Sequence, residues 1–308
     1  MIQSKAEIQI ASPSDFAPAR MVEIELGLPL TALSAFDEEH ARWYQRALAV
    51  IFLHDRPLGT VEFLFDKEGL SAQQCAEQIW HKLQREINVH LLEDGLPTVS
   101  TLSEQGLPSS SLPPCIQQRE RFLARAPFVS IIIPTHDRPE SLKETLRSLL
   151  DLRYPRYEII VVDNAPSNNA TYQVVRQLYG SASQLHYLRE ETPGISRARN
   201  LGIKHAQGEI VTFTDDDVVI TPNWLTELMR GFEAADNVGA VTGYLMPLEL
   251  ETPAQYWCEE NRGLPWFQGH EMLNRWPARR IFDASSRHLH LYRIGLFGCG
   301  ASMAFKTS

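Results

Sequence analysis

"EIVTFTDDDVVITPNWL", Glu209 to Leu225, sets an apolar, β-branched run directly against three consecutive aspartates, and a helix-start signal follows. Adjacent carboxylates repel one another, so Asp215, Asp216 and Asp217 cost stability unless a cation or a hydrogen-bonding ligand shares their charge. A solvated acidic loop is the ordinary alternative, and the flanking segments weigh between the two. Downstream, Thr221 is placed to cap a helix whose first residue is Pro222. Upstream, "FVSIII" (Phe128 to Ile133) is a strand-like run ending at Pro134, and "PESLKETLRSLLDL" carries Leu142, Leu146, Leu149 and Leu150 at helical spacing. "YEIIVVD" (Tyr157 to Asp163) is a second buried strand, followed by a helix near Tyr172 to Tyr179, the short strand "LHYLRE" and the helix "GISRARNLGIKHAQ". Strands alternating with helices of this length predict an α/β domain with a mostly parallel sheet and right-handed crossovers.

Ligands of such sheets bind beyond the carboxyl ends of the strands. Polar residues stand at three of those ends: Thr135 to Asp137, Asp163 with Asn164, and Asp215 to Asp217. One such cluster is ordinary surface, but three facing one crevice are hard to explain that way. "PTHDRP" follows the first strand where a dinucleotide fold would carry G-x-G-x-x-G, and the sequence contains neither a P-loop nor a G-x-S-x-G elbow. A D-x-D after a strand suits Mn²⁺ or Mg²⁺, hard cations that take oxygen ligands and share them with phosphates. Such an ion stabilises a departing diphosphate.

"VSIIIPTHDRPESLKETLRSLL", "YEIIVVDNAPSNNAT", "PGISRARNLGIKHAQGEIVTFTDDDVVITPNWL" and "FGCGASMAF" together resemble, in order and spacing, the family 2 glycosyltransferases. The resemblance covers about residues 128–308 and implies the GT-A fold with inverting, metal-dependent transfer of a sugar from a nucleotide sugar, UDP-linked, to an acceptor hydroxyl. It implies that Pro134 and Thr135 belong to the base pocket, that Asp163 hydrogen-bonds the base, and that Arg197 or Arg199 is the basic residue near the nucleotide. It further places Asp215 near the ribose and assigns Asp217, with Asp215, to Mn²⁺ or Mg²⁺. Asp216 also falls in the nucleotide site but is expected to point to the other side of the turn, as the dispensable one. The family's general base, an aspartate of a Glu-Asp pair, is expected beyond Ser308. The 128–308 domain is therefore read as truncated, because "CEEN" (Cys258 to Asn261) and Asp283 come too early to match. The implied partners are a nucleotide-sugar donor and a saccharide, lipid-linked or protein acceptor, in cell-envelope polysaccharide synthesis. Two other readings stay open, a catalytically silent nucleotide-sugar-binding module and another nucleotidyl-sugar enzyme of the same fold.

Residues 1–127 lie outside the resemblance. "AVIFLHDRPLGTVEFLF" (Ala49 to Phe65) predicts a hairpin around an Asp-Arg-Pro-Leu-Gly turn. A helix is expected next, between a Ser71 cap and Gly95, with Cys75, Ile79, Leu83, Ile87 and Leu91 as its apolar stripe. Residues 1–95 thus read as a small α+β module without a recognisable metal cluster, and the Ser/Pro-rich residues 96–127 as a linker. The net charge of −9 is distributed as 11 Lys+Arg against 17 Asp+Glu in residues 1–127 and 18 against 21 beyond them. Neither part carries the basic field that phosphate-backbone binding requires, so nucleic acid is not an expected partner. Cys75, Cys115, Cys258 and Cys299 form no C-x-x-C pair, and the ten histidines, "RHLH" (Arg287 to His290) included, show no zinc spacing. No run reaches the roughly 18 apolar residues of a membrane span, so the expected location is the cytoplasm, peripheral at the inner face of the membrane.

Overall fold

The computed structural model describes residues 16–38, 40–108, 112–179, 182–243, 245–261 and 300–307. Asp283 and the "RHLH" histidines lie outside the described residues, as do the side chains of 258–261. In chain order the elements are β1 (Ala19–Glu25), β2 (Phe36–Asp37), β3 (Arg42–Trp43), β4 (Arg46–Leu53), β5 (Arg56–Leu64) and α1 (Ala72–Glu93). Next come α2 (Pro114–Leu123), β6 (Val129–Thr135), α3 (Pro139–Leu150), β7 (Tyr157–Asn164), α4 (Ala170–Tyr179), β8 (Leu185–Glu190) and α5 (Ile195–His205). β9 (Ile210–Phe213), α6 (Trp224–Arg230), β10 (Ala240–Thr242), α7 (Pro253–Asn261) and β11 (Met303–Lys306) complete the order. They form two compact units, residues 1–114 with 247–293, and residues 115–246 with 294–308.

In the first unit β4 pairs with β5 antiparallel and with β1 parallel, a third strand that the sequence pattern does not announce. Helix α1 follows its sequence signals closely. Ser71 closes a capping box with Gln74, and Gly95 takes the left-handed conformation that ends the helix. The stripe from Cys75 to Leu91 packs into one core with Ala49, Ile51, Val61 and Phe63. The hairpin turn differs from expectation: it is His54-Asp55, and Arg56 to Gly59 continue the strand. β5 is an edge strand, where Pro57 can sit without breaking a ladder.

The 96–127 segment is not an unpacked connector. Leu102 is buried, the Asn88 amide bonds both backbone groups of Val99, and Leu107 donates to the Leu26 carbonyl at 2.6 Å. Its leucines bury apolar area and its backbone finds partners, which Ser/Pro content alone conceals. Further along, Phe122 of α2 joins the core of the second unit and Arg119 bonds Glu227. The chain then returns to the first unit after β10, where Ala19 donates to the Leu250 carbonyl.

The second unit is a six-stranded sheet ordered β10-β11-β9-β6-β7-β8. β9, β6, β7 and β8 run parallel, and β11 enters antiparallel beside β9. α3, α4 and α6 contribute to the apolar core on one face, and α5 covers Ile132, Ile160, Val162 and Phe213 on the other. β6 continues through Pro134, which is tolerated because its pairing with β9 ends at Ile132. Helix α6 starts two residues later than Thr221 suggests. The Pro222 carbonyl instead accepts from the Arg153 amide, which holds 221–223 in a turn, and Asn223 becomes the cap.

α5 approaches β6 so closely that a Cβ on Gly202 would lie 2.5 Å from the Ile132 side chain, which is fully buried. Gly202→Ala gains up to about 1 kcal/mol in helix propensity, whereas overpacking costs about 1–3 kcal/mol. The overpacking should win, and Gly202→Ala should lower the thermal unfolding temperature in a calorimetric scan; a higher temperature would show that the two elements can part at no cost.

Candidate functional site

Consecutive β-α-β crossovers run outward from β6 to β7 and β8, and the chain then passes back to the other side of β6 to form β9. The strand order therefore reverses between β6 and β9, and a crevice must open beyond their carboxyl ends. A cleft of about 410 Å³ lies there, lined by Pro134, Arg138, Ile195, Arg199, Asp215, Asp216, Asp217 and Gly300.

The middle aspartate anchors this cleft. Asp216 is 5% exposed and accepts from the Thr135 hydroxyl at 2.6 Å and from Arg138 Nη1 at 2.9 Å. A hydroxyl–carboxylate bond of that length is charge-assisted and strong. The turn after β9 directs Asp216 back onto β6, where it is bonded in place. Arg138 also reaches Asp217 Oδ2 with Nη2 at 2.9 Å, so one guanidinium spans two carboxylates. Arg199 of α5 lies 3.3 Å from Asp215 Oδ1, and its guanidinium stands over the Phe213 ring. Burial, followed by the neighbouring aspartates, pushes the Asp215 carboxyl up, and Arg199 opposes the shift.

Three carboxylates against two guanidinium groups leave one net negative charge, so the arginines account for most of what keeps the aspartates together. Asp217, about half exposed, and Asp215 present oxygen donors to the cleft, a chemistry that fits a hard divalent cation. Among the described residues, a group of three or more His, Cys, Asp or Glu side chains with ligand atoms all within 4.8 Å of one another occurs elsewhere in the chain, not at these aspartates.

The loops beyond β6 and β7 are fastened to each other. His136 Nδ1 contacts the Asn164 carbonyl oxygen at 2.7 Å, and the Ser167 amide donates to Asp137, which adopts positive φ. Asn164 bonds the Thr192 carbonyl and the Gly194 amide, which fixes the entry to α5 and so the position of Arg199.

Of the residues singled out in the sequence, the structure brings Pro134, Arg199, Asp215, Asp216 and Asp217 to the cleft wall, with Thr135 bonded beneath Asp216. Arg197 and Asp163 do not line it. Asp163 is fully buried and accepts from the Tyr187 hydroxyl at 2.8 Å, while Oδ1 has no hydrogen-bond partner among the described residues. Burial pushes its carboxyl up, against the Tyr187 and Thr171 hydroxyls. A carboxyl kept where its charge is disfavoured is a signal of function rather than of stability. Sequence reasoning missed Arg138, although "PTHDR" places it three residues after Thr135; nothing in the spacing shows that it bridges two aspartates from another strand.

The sequence model of the family described as Glycosyl transferase family 2 matches residues 130–286. Glycosyltransferase AglE of Haloferax volcanii is 37% identical over 116 residues, 37% of each chain. The putative teichuronic acid biosynthesis glycosyltransferase TuaG of Bacillus subtilis is 30% identical over 129 residues, 41% of this chain and 50% of that one. Among solved structures, the mannosyltransferase PcManGT from Pyrobaculum calidifontis, in complex with GDP-Man and Mn²⁺, shares 28% identity over 42% of each chain with a TM-score of 0.37. The chain spans no more than half the length of these two curated relatives.

Because Asp216 ties two strand ends together, Asp216→Ala should cost about 1.5–3 kcal/mol, most of it from the buried Thr135 bond, since the half-exposed Arg138 is screened by water. Asp217→Ala should change stability by less than about 0.5 kcal/mol, as a surface substitution does. Chemical denaturation of the two variants checks the ranking, and equal losses would contradict it.

Proposed function

The chain belongs to glycosyltransferase family 2, and on that premise we propose that it moves a sugar, with inversion, from a UDP-linked donor to an acceptor hydroxyl. One observation carries this reading: two arginines and three aspartates meet in a cleft at the point where the strand order reverses. The cleft is shaped for a dianionic group and its counter-ion rather than for an apolar ligand. Arg138 and Arg199 are fork-shaped donors that suit phosphate oxygens as well as carboxylates. In the proposed binding event they exchange part of their hold on Asp216, Asp217 and Asp215 for the diphosphate of the donor.

Asp217 and Asp215 are the residues that would hold Mn²⁺ or Mg²⁺. When bound, such an ion supplies Lewis acidity that takes up charge on the departing diphosphate. The remaining work falls to this chain's own groups. Asp216, fixed by Thr135, sets the direction of the turn and so aims its two neighbours. Arg199, held between Asp215 and the Phe213 ring, is pre-oriented, which limits the ordering cost of binding. Pro134 contributes a rigid ring to the cleft wall. Asp163 is proposed to act on the base through the end of β7, where its buried Oδ1 retains hydrogen-bonding capacity. We assign the acceptor's general base to no described residue, and the acceptor itself is proposed only as a saccharide, lipid-linked or protein hydroxyl.

UDP should bind at least tenfold more tightly with Mn²⁺ added than without it, a difference of about 1.4 kcal/mol, and Asp217→Asn should remove most of that gain while leaving metal-independent binding. Isothermal titration calorimetry of both proteins reads this directly. Equal UDP affinity with and without Mn²⁺ would overturn the metal's role, and no UDP binding at all would overturn the donor assignment.

A further inference from the structure

The N-terminal unit contains a convergence of side chains that the cleft does not use. His54 Nδ1 lies 3.0 Å from His90 Nε2 and 3.1 Å from Asp94 Oδ2, and His90 Nε2 lies 3.5 Å from the same oxygen. All three residues are buried, at 7%, 2% and 6% exposure. We propose that His54, His90 and Asp94 bind a single zinc ion. This inference does not depend on the reading of the cleft.

The distances carry it. Zinc holds imidazole nitrogen and carboxylate oxygen at about 2.0–2.2 Å in a tetrahedron, so its ligand atoms stand about 3.3 Å from one another. The three observed separations match the edges of one face of that tetrahedron. Hydrogen bonding alone satisfies such a triangle poorly. With both imidazoles neutral, at least one edge must set lone pair against lone pair, or N–H against N–H. A central cation lets every lone pair point at it. His90 Nδ1 has no hydrogen-bond partner among the described residues.

The backbone supports the same assignment. His54 and Asp55, with φ of 57° and 63°, form the two-residue turn between β4 and β5 in the left-handed region that Asn-Gly occupies at low cost. A histidine held there carries strain. The carboxylate of Glu25 secures the turn by accepting from the His54 and Asp55 amides, both at 2.9 Å. His90 and Asp94 stand four residues apart at the C-terminal end of α1, where Asp94 is the cap residue. The site therefore fastens a hairpin turn to a helix end. Sequence reading missed it because one ligand lies 36 and 40 residues before the other two, and H-x-x-x-D alone is common on helices.

The full chain, purified without a histidine tag, should contain about one zinc per molecule by plasma mass spectrometry, the stoichiometry of a single tetrahedral site. His90→Ala and Asp94→Asn should each reduce the content at least tenfold. Chelator-treated wild-type protein should unfold at a lower temperature and, titrated with Co²⁺, should develop the visible d–d absorption of a tetrahedral site. The Co²⁺ titration uses the wild-type chain, so it stands even if a variant fails to fold. A folded wild-type chain that holds no zinc and gives no Co²⁺ spectrum would overturn the proposal, as would zinc content unchanged in folded His90→Ala.

Discussion

The hydrogen bond from the Thr135 hydroxyl to Asp216 joins the carboxyl ends of β6 and β9, the two strands between which the sheet changes direction. A parallel sheet of this kind leaves a gap at that point, and the gap becomes a shaped site only if the loops on its two sides are fixed to each other. Thr135 and Arg138 from one side, and Asp216 from the other, do this with two short charge-assisted bonds. Because Asp216 is buried and bonded, Asp215 and Asp217 on either side of it are directed into the cleft.

Electrostatics add a second constraint. Three aspartates in sequence would repel one another, but Arg138 and Arg199 approach from different elements and neutralise most of the charge before any ligand arrives. Guanidinium groups also suit phosphate oxygens, and the proposed donor diphosphate would draw on the same two arginines. A site that supplies its own counter-ions can remain folded when empty and can exchange them for substrate when occupied.

The sequence revealed the β-α alternation, the strand ends and the capping of α1 because each depends on local chemistry: β-branched runs, four-residue apolar spacing, and the Ser71 and Gly95 signals. It misplaced what depends on distant partners. The start of α6 is delayed because the Pro222 carbonyl is engaged by Arg153, about 70 residues away in the chain. Residues 96–107 have linker composition, yet their leucines find a core. At the cleft, the aspartates were conspicuous in the sequence, but the division of labour among them was not, because the inward turn of Asp216 depends on Thr135, 81 residues earlier. Arg138 was hidden for the same reason, and so was the meeting of His54 with His90 and Asp94.

The central claim is that the Arg138–Arg199 cleft receives a nucleotide diphosphate. A crystal structure of the full chain with UDP and Mn²⁺ tests it most directly. The account predicts phosphate oxygens between the two guanidinium groups, Asp217 on the metal, and the Thr135–Asp216 bond intact beneath them. Nucleotide bound away from this cleft, with Arg138 still spanning Asp216 and Asp217, would contradict it.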